Sequence, residues 1–422
     1  MKRPKVVIIG GGFGGLNAAK ALKKADVDIL LIDKSNHHLF QPLLYQVASA
    51  AVSPGDIASP IRDILASQKN ASVLLAEIVA IDKANKQVVS ENGEHFSYDY
   101  LILSTGSRHS YFGHDEWEAF APGLKTLHDA LSIRERVLLS YERAERCSDD
   151  PAMVQKMMRF IIVGGGPTGV EMAGAIAEMA HKSLSKNFRN IKPEQTEIYL
   201  IEGADQLLSS FPKELGDIAK KDLEKLGVEV LLSSFVTQIT ADGILIKERY
   251  IESRNIIWAA GNEASPLLET LGVPLDRSKR VIVKPDLSIP DYPDLFVIGD
   301  AAYCLDDEGA TLPGIAPVAI QQGRYVASLI KKQIPIVDRK KFKYFNKGMM
   351  ATIGKGKAVA AVGKLRISGF VAWLAWCFIH VAYIISFPNK TLVMLDWFYL
   401  YLFNQRRVRL ITRPISDEDD PI

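Results

Sequence analysis

The sequence predicts an α/β fold in which one unit, an apolar strand entering a glycine turn and then a helix, is used twice, with an apolar aromatic region behind it. Three observations predict this. Lys5-Val6-Val7-Ile8-Ile9 runs into Gly10 to Gly15 and a helix-prone stretch from Leu16. Arg159-Phe160-Ile161-Ile162-Val163 runs into Gly164 to Gly169 and a second, small-residue helix. Two runs rich in Trp, Phe, Tyr and Leu, Gly369 to Phe387 and Thr391 to Phe403, then close the chain.

In the first copy, Gly10, Gly12 and Gly15 have the G-x-G-x-x-G spacing. The first glycine turns tightly, the second lets backbone approach a pyrophosphate, and the third packs helix on strand, with the helix N-terminus facing the negative charge. A second strand, Val27 to Ile32, ends in Asp33, where a carboxylate accepts ribose hydroxyls. The second copy repeats this with Gly164, Gly166 and Gly169 and a strand, Glu197 to Ile201, ending in Glu202. A polar helix end and loop, Lys182 to Thr196, lengthens the gap between them.

Each copy is followed by a β-meander. In the first, Asn92-Gly93 between Lys86 to Ser90 and Glu94 to Tyr98 is a type I′ hairpin signal. The meander closes on Tyr100 to Leu103 and Ser104-Thr105-Gly106, whose small residues suit close approach to a ligand. A polar helix from about His128 to Arg146 and a linker at Ser148-Asp149-Asp150-Pro151 lead to the second copy. Its meander turns at Asp242-Gly243 and ends on Ile256 to Gly261. The chain is thus read as two Rossmann-like dinucleotide-binding domains, each with a β-meander, plus a C-terminal membrane-associating helical region. Two nucleotide sites in tandem imply two cofactors and hydride transfer from a nicotinamide to a flavin. Glu202 with no Arg immediately after it favours NADH over NADPH, because a carboxylate repels a 2′-phosphate.

The 422 residues carry a formal net charge of +2, which argues against a nucleic-acid partner. Cys147, Cys304 and Cys377 have no C-x-x-C or metal-like spacing and read as reduced thiols. No metal site is expected; the His37-His38 pair lacks further ligands at suitable spacing. No export signal precedes the first strand, so a cytosolic setting is the default.

Past Pro285 a buried strand reaches Gly299-Asp300, and Leu312 to Arg324 turns into a helix. The order Gly10 to Gly15, Ser104-Thr105-Gly106, Gly164 to Gly169 and Gly299-Asp300 resembles the two-dinucleotide-binding-domain flavoprotein reductases. The resemblance implies FAD held by Gly10, Gly12, Gly15, Asp33, Thr105, Gly106, Gly299, Asp300 and Ala319. It implies NADH held by Gly164, Gly166, Gly169, Glu202 and Gly261. Disulfide chemistry is disfavoured because the segment after Asp33 has no cysteine, so electrons pass to an external acceptor.

The apolar tail suggests where that acceptor lies. Length permits a transmembrane helix, but His380, the interfacial aromatics and a shorter second run fit an in-plane helical pair better, with Arg406, Arg407 and Arg409 reaching lipid headgroups. With Phe40-Gln41-Pro42-Leu43-Leu44-Tyr45-Gln46 and Gly169-Val170-Glu171, the chain resembles the type II NADH dehydrogenases, single-subunit NADH:quinone oxidoreductases of respiratory electron transport. The family's A-Q-x-x-x-Q quinone motif stands here as Ala316-Pro317-Val318-Ala319-Ile320-Gln321. The resemblance implies non-covalent FAD, hydride transfer from NADH to flavin N5, and two-electron reduction of a quinone, ubiquinone or menaquinone, without proton pumping. Gln321 would contact the quinone, and Glu171 would orient the ring or relay protons. A homodimer, monotopic on the cytoplasmic face of the cell membrane, is expected. The division expected is 1–115 and 285–335 for FAD, 116–284 for NADH, and 336–422 for the membrane-anchoring region with an acidic tail. Alternatives are a soluble NADH-dependent flavin reductase serving a protein acceptor and a membrane-tethered NADH-responsive redox sensor.

Overall fold

The computed structural model of the chain describes residues 3–412; the acidic Ser416 to Asp420 ending lies outside the described residues. By packing, the chain forms two units. One gathers the chain up to Leu39, Ala58–Arg108 and Asn262–Lys347, and the other gathers Phe40–Ile57, His109–Gly261 and the chain from Gly348 onward.

The first unit is built on a six-stranded sheet in the order Ser288–Ile289, Tyr292–Val297, Tyr100–Leu103, Lys5–Ile9, Asp28–Asp33, Ala71–Leu75. All pairings but the Ser288–Ile289 edge are parallel. Val6, Val7 and Ile8 are wholly buried, which is why this strand reads as an unbroken apolar run. Ile9 stands opposite both Ile32 and Leu103, so Gly10, Asp33 and Ser104 emerge together at one sheet end. The helix Phe13–Ala21 packs on the helix Ala316–Lys331 at a crossing that needs glycine: a Cβ at Gly323 would lie 2.3 Å from the Gly14 carbonyl oxygen.

The second unit has a four-stranded parallel sheet ordered Val228–Leu231, Glu197–Ile201, Arg159–Val163, Asn255–Trp258. The helix Leu127–Arg146 begins at a capping box in which Thr126 and Asp129 satisfy each other's backbone amides. The expected linker at Ser148 to Pro151 is a short turn between two helices, and Pro151 already opens the second. Asp150 accepts the Ala152 and Met153 amides and Pro151 opens the helix Pro151–Met157, the usual Asp-cap and first-turn Pro pairing.

Two turn expectations are corrected. At Asn92-Gly93 the φ is positive at Gly93 but not at Asn92, and Ser90 pairs with Glu94 across three residues. The Gly93 amide donates to the Ser90 carbonyl, giving a tight turn followed by a left-handed glycine rather than type I′. In the second meander Thr240 pairs with Gly243, so Ala241 and Asp242 form the turn and Gly243 opens the strand, pressed against the Ile251 carbonyl.

The C-terminal region begins with an unforeseen three-stranded antiparallel sheet, Met349–Gly354, Lys357–Val362 and Leu365–Ser368. Its helices run Gly369–Tyr383 and Phe387–Phe403. The first ends before the apolar run does, and the second starts earlier than Thr391 because Pro388 is tolerated in a first helical turn. No helix among the described residues is long and apolar enough to cross a membrane. The expectation that Arg406 and Arg409 reach lipid headgroups is corrected as well. Arg406 is 4% exposed and donates to the Ser49 and Ala175 carbonyls. Arg409 donates to the Arg406 and Ser183 carbonyls, and Arg407 pairs with Asp396 at 3.2 Å.

Candidate active site

The same device stands at the tip of each parallel sheet. In the first unit, Gly10 has φ +98° and a Cβ there would lie 2.3 Å from the Ser104 carbonyl oxygen. A Cβ at Gly15 would lie 2.0 Å from the Gly10 carbonyl oxygen, so turn and helix are in backbone contact. Asp33 accepts the Gly11 amide at 2.5 Å and the Ser35 amide at 2.6 Å. Burial raises its pKa against those two hydrogen bonds. In the second unit, Gly164 has φ +113° beside Ala259, and a Cβ at Gly169 would lie 1.8 Å from the Gly164 carbonyl oxygen. Glu202 accepts the Gly165 amide at 2.5 Å and the Ala204 amide at 2.7 Å. Each acid is thereby held in a fixed pose, with lone pairs left over for hydroxyl donors.

The structure supplies its own test of whether these residues fit nucleotide cofactors. Gly12 and Gly166, the middle glycines, face open space where a Cβ would meet nothing, so each turn offers bare backbone to a ligand. In the first unit the Thr105 hydroxyl is buried without a protein partner beside Gly106, whose φ is +69°. Asp300 accepts from the Ser107 hydroxyl at 2.9 Å and, with Gly299, Gly314 and Gln322, lines a cleft in the first unit. Ala319 packs against Gly299 from the helix start. The residues fit FAD in the first unit and NADH in the second, where Gly261, with φ +69°, packs under Ser110 and Phe112.

Gln321 and Glu171 lie in different units and are described separately. Gln321 grips the Phe345 backbone in both directions, donating to its carbonyl at 3.0 Å and accepting its amide at 2.9 Å. Pro317, in place of the motif's first Gln, sits in the first turn of the helix Ala316–Lys331, where its missing N–H costs nothing. The neighbouring Gln322, missed by motif reading, is 1% exposed and accepts the Gly299 amide at 2.6 Å, fixing the Gly-Asp turn.

Glu171 stands beyond the first turn of the helix Pro167–Glu178, so first-turn dipole stabilisation does not explain it. Its carboxyl shares a cavity of about 30 Å³ with Tyr45, Gln46, Thr352, Tyr401 and Arg406. The Thr352 amide reaches it at 3.4 Å, and burial pushes its pKa up to about 8. Glu178 is structural: it accepts the Lys355 amide at 2.9 Å and pairs with Lys182 at 3.1 Å. Neither Arg406 nor the Tyr45–Gln46 pair carried a sequence signal for this cavity, because nothing periodic marks a polar group buried from a distant segment.

Paired glycine-turn sites that fit FAD and NADH define a flavoprotein of the two-dinucleotide-binding-domain class. Residues 4–323 match the family model described as pyridine nucleotide-disulphide oxidoreductase, and residues 346–406 match the NDH2 C-terminal domain. The chain is 47% identical over 426 residues to the type II NADH:quinone oxidoreductase Ndh of Mycobacterium tuberculosis, covering 97% of this chain and 91% of that protein. It is 27% identical to the type II NADH:quinone oxidoreductase of Staphylococcus saprophyticus, over 87% and 92% of the two chains. In fold it is similar to NDH2 from Plasmodium falciparum solved in complex with NADH, with a TM-score of 0.85, 20% identity, and coverage of 96% and 99%. The chain belongs to the type II NADH:quinone oxidoreductase family.

Proposed function

We propose that the chain oxidises NADH at the second unit and reduces a quinone with the electrons. The observation that carries this is the glycine-turn and acid device present once in each unit, in a chain that belongs to the family over nearly its whole length. Non-covalently bound FAD supplies a two-electron relay, accepting hydride from a nicotinamide and giving electrons to a quinone. The residues of this chain do the rest. Gly10, Gly12, Gly15 and Asp33 would hold the adenosine and pyrophosphate of FAD, and Thr105, Gly106, Gly299, Asp300 and Ala319 its remaining part. Gly164, Gly166, Gly169 and Gly261 would cradle NADH, with Glu202 taking the free ribose hydroxyls and repelling NADPH.

Reducing a quinone requires two protons. Near neutral pH Glu171 holds one, since its pKa lies near 8, and its place in a polar cavity supports a proton-donor role. Gln321 spends one amide N–H on Phe345 and has a second for a quinone carbonyl. The exposed Phe370, Val371, Leu374 and Phe378 of one C-terminal helix and Leu395, Phe398 and Leu402 of the other support in-plane insertion into a lipid surface. A homodimer bound to the cytoplasmic face completes the reading, and it rests on the family resemblance. Steady-state oxidation of NADH with a short-chain quinone, both substrates varied, tests the proposal. Parallel double-reciprocal lines, with FAD released on denaturation, are expected; absence of quinone-dependent turnover would overturn it.

A further inference from the structure

The Tyr45 hydroxyl ends a one-way hydrogen-bond chain that starts on the C-terminal helix. The Trp397 indole N–H donates to Gln46 Oε1 at 2.6 Å. An indole can only donate, so this contact fixes the Gln46 amide with its oxygen toward Trp397 and its nitrogen away. Gln46 Nε2 then donates to the Tyr45 hydroxyl at 2.9 Å. The phenol oxygen is thus used as an acceptor on that side, and its own proton must point elsewhere. Tyr45, Gln46 and Trp397 are all less than a tenth exposed, so bulk water does not compete for these bonds.

Tyr45 and Glu171 line one cavity, so the Tyr45 proton has the cavity open to it. Burial first, and then the Glu171 charge, push the Tyr45 hydroxyl well above its usual range, so it keeps its proton and acts as a donor. The other ionisable groups facing the cavity have partners of their own, the Arg406 Nε excepted. Glu178 holds the Lys355 amide, the Lys355 ammonium donates to the Tyr401 carbonyl, Tyr401 hydrogen-bonds Trp373, and the Arg406 terminal nitrogens hold two backbone carbonyls.

We propose that Trp397, Gln46 and Tyr45 are positioning residues that aim the Tyr45 O–H toward the Glu171 carboxylate across one water in the shared cavity, and so lower the pH at which Glu171 releases its proton. This rests on the reading of Glu171 as the group that handles protons. It makes the helix whose opposite side exposes Leu395, Phe398 and Leu402 a determinant of Glu171 chemistry.

The test is an infrared pH titration of the protonated-carboxyl band of Glu171 in the FAD-loaded full chain, with the band assigned by its loss in Glu171→Gln. Tyr45→Phe removes the donor and should move the midpoint up by about one unit, the effect of one hydrogen bond to a charged acceptor. Trp397→Phe frees the Gln46 amide to turn over, so that its oxygen takes the Tyr45 proton; the midpoint should move in the same direction. It carries the test alone if Tyr45→Phe fails to fold. An unmoved midpoint in Trp397→Phe, with the Glu171 band titrating normally, overturns the inference and leaves the Glu171 reading standing. A band that survives in Glu171→Gln overturns both.

Discussion

Replacing Arg406 by Met asks whether this cation serves the fold or the lipid surface. Its guanidinium holds the carbonyl oxygens of Ser49 and Ala175, the latter at 3.0 Å, and both residues are buried. Met fills similar volume but leaves the buried Ser49 carbonyl unpaired, at about 1–3 kcal/mol, while the Ala175 carbonyl keeps the Met179 amide. Relief from burying the cation, whose Nε has no protein partner, offsets part of this. A net loss of about 1–2 kcal/mol lowers Tm by roughly 1–2 °C in a chain of 422 residues. Arg407→Met removes an exposed pair with Asp396 and should change stability by about 1 kcal/mol or less. Thermal melts read both stability effects, and sedimentation with anionic vesicles at a temperature where both variants are folded reads lipid binding. An Arg406→Met protein that melts like wild type but loses vesicle binding would refute the structural assignment.

Other substitutions have equally specific outcomes. Gly323→Ala forces apart the helices Phe13–Ala21 and Ala316–Lys331, because its Cβ lands 2.3 Å from the Gly14 carbonyl oxygen; FAD content after purification should fall, with a stability loss of about 1–3 kcal/mol by urea unfolding. Glu202→Gln turns one of two acceptors into a donor facing a backbone amide, so KM for NADH should rise roughly tenfold or more while discrimination against NADPH shrinks, as steady-state assays with both nucleotides would show. The Glu171 carboxyl has a folded-state pKa of about 8, above its ordinary value of 4.5. Between those values the folded chain holds a proton that the unfolded chain releases, so stability falls as pH rises through the window, by no more than about 1.4 kcal/mol per unit. Urea melts of Glu171→Gln across that window should lack this slope.

What the sequence revealed and what it hid divide along physical lines. Gly10 and Gly164 are legible because their turns need a positive φ, and Gly15 and Gly169 because a Cβ there would fall 2.0 and 1.8 Å from a carbonyl oxygen, which excludes side chains at fixed spacing. Asp33 and Glu202 were legible for a related reason: each ends an apolar strand and answers a glycine-turn amide. Arg406 was misread because a cation after an aromatic run looks the same in sequence whether it meets lipid or a buried carbonyl. The Trp397–Gln46–Tyr45 chain joins residues far apart in sequence, and none of them breaks a local pattern. The short strands from Met349 to Ser368 lacked a strong alternating signal, since Lys357–Val362 is buried nearly throughout. At Asn92-Gly93 composition identified a turn but not its length, which the pairing of Ser90 with Glu94 decides.

Anaerobic mixing of the FAD-loaded chain with NADH, followed by a short-chain quinone, tests the central claim most directly. Flavin absorbance should bleach rapidly with NADH and far more slowly with NADPH, then return on addition of quinone. Bleaching by NADH that quinone fails to reverse would contradict the account and point to a different acceptor.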